Sequence, residues 1–119
     1  MRAHPGMPHD RIPGTALTPQ LLELIAARFK ALGEPARLRI LHALRSGEKS
    51  VSDLMQAAQL SQANTSKHLQ RLHGLGLVER RRDGLHVFYR LADGSVLYLC
   101  DLMCGRLERQ LDADRELFR

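Results

Sequence analysis

The stretch from Ser50 to Gly74 leaves room for two short helices and almost nothing between them. Ser50 caps "VSDLMQAA", a tight turn passes through Gln59 and Leu60, and Ser61 caps "QANTSKHLQRLHG". Each serine hydroxyl accepts from a backbone N–H that has no partner inside its helix. In the second helix Thr65, Leu69 and Leu72 recur at spacings of four and three, which puts them on one buried face. Gln62, Asn64, Lys67, Gln70 and Arg71 point elsewhere. A short supporting helix, a tight turn and a helix with a polar N-terminal half make a helix-turn-helix.

The flanks complete the frame. Thr18 and Pro19 open a helix over "TPQLLELIAARFKAL", where the missing proline N–H costs nothing. Leu21, Leu22, Ile25, Phe29 and Leu32 form its apolar stripe, and Gly33 stops it. A second helix restarts at Pro35, turns Leu38, Ile40, Leu41 and Leu44 inward, and ends at Ser46-Gly47; His42 in it reads as half-buried. Beyond the helix-turn-helix, "LVERRR" and "LHVFYRL" flank Asp83-Gly84, a two-residue turn suited to type I′ geometry. That turn sets Arg81 opposite His86, Arg80 opposite Val87 and Val78 opposite Tyr89. From Asp93 onward Val96, Cys100, Met103, Cys104, Leu107 and Leu111 recur at spacings of three and four, a final helix. The expected fold is mainly α with a small β-hairpin: a winged helix-turn-helix of about five helices and a two-stranded wing. Residues 1–17, with three of the five prolines, read as a flexible arm, 18–115 as the domain proper and 116–119 as a tail.

Charge points to a partner. The chain of 119 residues is long enough for one cored domain and carries a net charge of +5. The excess is local: between 61 and 90, Lys67, Arg71, Arg80, Arg81, Arg82 and Arg90 stand against Glu79 and Asp83 alone. After residue 93 acids outnumber arginines. A charge run is usually a solvated face. Here it coincides with a polar helix and a basic hairpin, which suits double-stranded DNA. Arginines and helix N-termini meet phosphates, and amide or hydroxyl side chains read base edges. The expected contact set is Gln62, Asn64, Ser66, Lys67, His68 and Arg71 on the helix, with Arg80, Arg81, Arg82, His86 and Arg90 on the hairpin. Arg81 stands for the wing's phosphate contacts. The reading to weigh against it is a winged-helix module that docks on protein or RNA and has no effector.

An enzyme is not expected, since no phosphate-binding glycine loop, metalloprotease histidine pair or nucleophile elbow is present. No apolar run approaches the ~18 residues of a membrane span, and no secretory h-region opens the chain. A cytoplasmic protein with reduced thiols is the expectation.

"LGEPARLRILHAL" followed by "LSQANTSKHLQRLHGLGLVERRRDGLHVFYRL" resembles the ArsR/SmtB family of bacterial winged-helix repressors over roughly residues 18–111. The family's Leu-Ser-Gln, Ser-x-His-Leu and Leu-x-x-Gly-Leu-Val are met by Leu60-Ser61-Gln62, Ser66-Lys67-His68-Leu69 and the run Leu72 to Val78. The resemblance implies a homodimer built on the first and last helices, a pseudo-palindromic operator, and an effector that weakens DNA binding. Three of the family's effector sites are missing. Where arsenic and cadmium sensors carry Cys-x-Cys-Asp-Leu, this chain has Ser50-Val51-Ser52-Asp53-Leu54. The last helix lacks the histidines of zinc sensors, and the second helix lacks the cysteine of persulfide sensors.

What remains is "LYLCDLMCG", which holds both cysteines. Spacing of four puts the Cys100 and Cys104 sulfurs on one helix face, with Cβ atoms roughly 5–6 Å apart, too far for an unstrained disulfide. The pair suits a soft metal ion or a trivalent arsenical as effector, no cofactor being obligatory. Thiol oxidation or reactive-sulfur sensing across the dimer is a second reading, and plain packing a third. His4 and His9 on the arm are candidate extra ligands.

Overall fold

The computed structural model describes residues 16–117. The elements run α1 (Pro19–Leu32), α2 (Pro35–Ala43) with a 3₁₀ turn (Leu44–Ser46), β1 (Lys49–Ser50), α3 (Val51–Ala58), α4 (Gln62–Gly74), β2 (Val78–Asp83), β3 (His86–Leu91) and α5 (Ser95–Leu117). The starts of the helices are those the caps predict. Thr18 Oγ1 accepts from Leu21, Ser50 Oγ from Asp53 and Ser61 Oγ from Asn64, each at 3.1 Å. Glu34 caps α2 through its own carboxylate, accepting from Ala36 at 3.3 Å.

Helix ends are closed by arginines from elsewhere in the chain. Arg28 of α1 donates to the Leu75 carbonyl, where α4 finishes, at 2.9 Å. Arg37 donates to the Ala31 carbonyl at the end of α1 (2.6 Å), and Arg39 to the Ala58 carbonyl at the end of α3 (3.0 Å). These carbonyls are the orphan acceptors of a helix C-terminus, and a cation there also complements the helix dipole.

The core gathers Ile40, Leu41 and Leu44 from α2, Leu54 and Ala58 from α3, and Leu69 and Leu72 from α4. Val78 and Tyr89 join from the sheet, and Val96 and Leu97 from the first turn of α5. Thr65 is fully buried among them, its hydroxyl donating to the Ser61 carbonyl at 2.8 Å. His68 also turns inward: half-buried, its Nδ1 lies 3.2 Å from an Arg37 guanidinium nitrogen. His42, expected half-buried, is exposed, because α2 is buried through Ile40 and Leu41 on another side.

The wing differs from its sequence reading in two ways. It has three antiparallel strands in the order β1-β3-β2, since Lys49 and Ser50 pair with Tyr89 and Phe88. Two residues carry too little pattern to announce a strand. Gly47, at φ 127° and ψ −173°, turns the chain from α2 toward it, in backbone territory that is essentially glycine's alone. The hairpin register is also displaced by two: Val78 faces Leu91, Arg80 faces Tyr89, Arg81 faces Phe88 and Asp83 faces His86. The turn is Gly84-Leu85, not Asp83-Gly84. Gly84 has φ +61° while Leu85 has no positive φ, the II′ pattern with glycine first. A shift of two keeps every side chain on its predicted face while changing its partner.

Two predicted stripes are only partly covered within one chain. On α1, Leu22 and Phe29 are 48% and 60% exposed. Along α5, Leu102, Met103, Leu107 and Leu111 are all exposed, although Val96 is buried.

The turn between α3 and α4 rests on Gln59, a non-glycine residue at φ 55° and ψ 53°. Gln59→Gly should therefore raise stability by about 0.5–1 kcal/mol in urea denaturation, because its Cβ strain outweighs the added freedom of the unfolded chain. A lower midpoint would show that the left-handed turn costs nothing here. His68 gives a pH signature. Burial, followed by the positive charge of Arg37, holds its imidazole below the ordinary value. The folded state then binds fewer protons than the unfolded chain, so this contribution is complete above about pH 6.5 and is lost as pH falls toward the folded value. Denaturation midpoints should drop between pH 7 and 5, and His68→Asn should flatten that slope.

Candidate nucleic-acid interface

α4 is fixed about its own axis by Thr65, Leu69 and Leu72, all at 0% exposure. That leaves Asn64, Lys67 and Arg71 exposed on the far side, while Gln62, three residues before Thr65, is exposed at the helix start on the side of Ser66. The N-terminal half of α4 thus presents two carboxamides and an ammonium to solvent, donors and acceptors of the kind that recognise base edges in a major groove. A third side, carrying Ser66, Gln70 and His73, turns toward the sheet. A groove of about 300 Å³ separates these three from Arg80, Val87 and Tyr89. A second groove, about 370 Å³, continues it between Gln62 and Ser66 and the wing tip at Leu85 and His86.

Sheet alternation sorts the wing arginines. Val78, Arg80 and Arg82 share a face with Val87, Tyr89 and Leu91, the face that packs on the helices at its base. Arg81 and Arg90 lie on the other face and are engaged there. Arg81 forms a two-pronged pair with Glu48 (2.7 and 3.1 Å) and sits 4.6 Å over the Phe88 ring. Arg90 pairs with Glu79 at 2.7 Å. The hydrogen bond from Arg81 holds the Glu48 carboxyl below its usual range. Arg80 and Arg82 have no ion-pair partner among the described residues. The like-charged Arg81–His86 facing pair does not form; His86 faces Asp83 and tilts 6.3 Å from the Phe88 ring.

Of the eleven contact residues expected from sequence, Asn64, Lys67 and Arg71 lie on the solvent side of α4, and Gln62, Ser66 and His86 line the groove toward the wing tip. Arg80 lines the groove beside it, Arg82 is exposed on the same strand face as Arg80, and Arg81, Arg90 and His68 are tied to other groups. Sequence reasoning missed Gln70 and His73, although their spacing of four and seven from Ser66 signals a common face. It also missed Glu48, 33 residues from Arg81, for which no local pattern exists.

The cysteines lie apart from this surface. Cys100 is half-buried and Cys104 exposed on α5, neither of them in a disulfide. The Cys104 thiol donates to Glu108 Oε1 at 3.6 Å, and that hydrogen bond together with the carboxylate's charge raises its pKa. Burial, then the charge of Asp101, raises the Cys100 thiol, while Asp101 itself is held by Arg45 at 2.8 Å. Among the described residues no three histidine, cysteine or acidic side chains converge as a metal cluster. One chain offers a soft ion its two sulfurs. His4 and His9 lie outside the described residues.

No described helix is long and apolar enough to cross a membrane. The model of the family described as "Bacterial regulatory protein, arsR family" matches residues 34–80, from the cap of α2 into the wing. The chain is 38% identical over 89 residues to the HTH-type transcriptional regulator NmtR of Mycobacterium tuberculosis, a match covering 75% of this chain and 74% of NmtR. It is 41% identical over 75 residues to the transcriptional repressor SmtB homolog of Synechocystis, covering 63% of this chain and 57% of that protein. In structure it is similar to the homodimeric winged helix-turn-helix DNA-binding domain of Mycobacterium bovis, with a TM-score of 0.72 and 33% identity over 86% of this chain and 95% of that one. Caps, turn, wing and relatives agree: the chain belongs to the ArsR family of bacterial transcriptional regulators, with the winged helix-turn-helix fold.

Proposed function

We propose that this protein is a homodimeric repressor that binds a pseudo-palindromic operator and leaves it when an effector occupies Cys100 and Cys104. The observation that carries the DNA reading is the shared side of α4 and the wing. Gln62, Asn64 and Lys67 are exposed, and Arg80 and Arg82, which have no ion-pair partner among the described residues, lie on the strand face that borders α4. Gln62 and Asn64 read base edges in the major groove; Lys67, Arg71, Arg80 and Arg82 meet phosphates. His68 positions α4 from within, and Arg81 and Arg90 brace the wing. The exposed apolar residues of α1 and α5 give a second copy its seat, since faces of this kind on a small domain mark contact surfaces. A twofold then presents two reading helices to successive major grooves.

The effector reading rests on α5. Past its first turn this helix has left the core, so both sulfurs sit where a ligand reaches them and where a partner helix would feel it. Raised thiol pKa values leave little thiolate at neutral pH, which slows oxidants. A soft metal ion or trivalent arsenical displaces the protons instead, and Glu108 beside Cys104 accepts one.

Two experiments test this. In a duplex-binding titration, Gln62→Ala and Asn64→Ala should lose about 1–3 kcal/mol on the operator and little on random DNA. Arg80→Gln and Arg82→Gln should each flatten the dependence of log affinity on log salt by about one unit, and Arg81→Gln by less. Equal losses on all sequences, or tighter binding to RNA or to no nucleic acid, would overturn the assignment. Operator release is then followed while arsenite, a methylarsenical, zinc, peroxide and a persulfide donor are added in turn. The expected trigger is a soft thiophile, ineffective on the Cys100→Ser/Cys104→Ser variant. Release by peroxide or persulfide alone assigns thiol chemistry; an equal response of the variant moves the effector elsewhere.

A further inference from the structure

Leu85 has no task in the fold. It occupies the second position of the wing turn, 97% exposed, the most exposed of the large apolar side chains among the described residues. The turn itself needs only Gly84, whose φ of +61° supplies the reversal; a polar residue would serve equally at Leu85 and would be better solvated. The groove it borders is mixed, with Val51, Met55 and Val87 among its lining, yet at 97% exposure Leu85 gains almost no cover from them. Arg82 and His86 flank it, Arg80 follows further down β2, and neither Arg80 nor Arg82 is ion-paired among the described residues. Leu85 lines the same groove as Gln62 and Ser66 at the start of α4. A duplex that seats its major groove on that turn of α4 and its backbone along the wing brings the next minor groove to the tip.

We infer that Leu85 is an apolar contact inserted into the minor groove beside each operator half-site, where it favours base steps that unstack easily. This rests on the DNA-binding reading of α4 and the wing. The physical case is that arginine and histidine at the rim hold the tip against the phosphates, while an aliphatic side chain finds in the groove the burial the fold denies it. Apolar wedges partially unstack base steps, and pyrimidine–purine steps such as TA yield most cheaply. The residue would then add preference at positions outside those that Gln62 and Asn64 read.

The test is Leu85→Asn with Leu85→Met beside it, in the full-length protein, on operator duplexes whose flanking step is varied and whose bend is followed by end-to-end energy transfer. Thermal unfolding of both variants should match the parent, because the side chain touches almost nothing. Leu85→Asn should bind about tenfold more weakly, bend the duplex less and lose its preference for a flanking TA step. Its salt dependence should be unchanged, since leucine displaces no counterions. Leu85→Met should retain the parent's behaviour. If Leu85→Asn binds and discriminates as the parent does, the inference fails while the DNA-binding reading stands. If it instead weakens self-association with per-dimer DNA affinity intact, the tip is a contact between copies and the inference fails as well. A parent protein that binds no duplex removes both readings.

Discussion

Everything on the outer surface of α4 depends on how that helix is rotated, and three residues decide it. Thr65, Leu69 and Leu72 lie in the core with no exposed area. Thr65 is the informative one, because a hydroxyl in an apolar core is costly unless it is bonded, and it donates to the carbonyl of Ser61 one turn earlier. That bond leaves only the threonine's methyl for packing and ties it to the residue that caps the helix. Capping, rotation and exposure of Gln62 and Asn64 are consequences of one local arrangement.

The wing makes its selection by a different physics. Strand alternation divides four arginines between two faces, and Glu48 and Glu79 then engage the pair on the outer one. Exposed ion pairs of this kind contribute little to stability. Their effect is directional: Arg81, stacked on Phe88 and paired with Glu48, is held on the outer face, while Arg80 on the other face lines the groove beside α4. The hairpin carries its ion-paired arginines on one side and Arg80 and Arg82, unpaired among the described residues, on the other.

Much of this was readable in the sequence, for reasons that differ by element. The starts of α1, α3 and α4 follow from Thr18, Ser50 and Ser61, whose caps depend only on neighbours three residues on. The faces of α4 and of the hairpin follow from period alone. The register did not follow, because Asp83-Gly84 and Gly84-Leu85 can both form two-residue turns and only the backbone torsions and strand pairing distinguish them. β1 escaped because two residues have no period, and the Glu48–Arg81 pair because it is long-range. On α1 and α5 the apolar spacing was read correctly, yet Phe29 and Met103 face outward, since periodicity says that a stripe wants cover without saying which chain supplies it.

The bond from Arg28 to the Leu75 carbonyl spans 47 residues and joins a helix of exposed apolar side chains to the far end of the reading helix. Its geometric meaning lies in stiffness. An element that meets a neighbouring molecule is usually linked to the element that reads by loops, which bend. Here a planar guanidinium also fixed to the Leu24 carbonyl locks the two together at 2.9 Å on each side. A displacement of α1, whose Leu22 and Phe29 lie uncovered in the single chain, would therefore press on the C-terminal end of α4 through this guanidinium directly, and not only through the segments that connect the two helices.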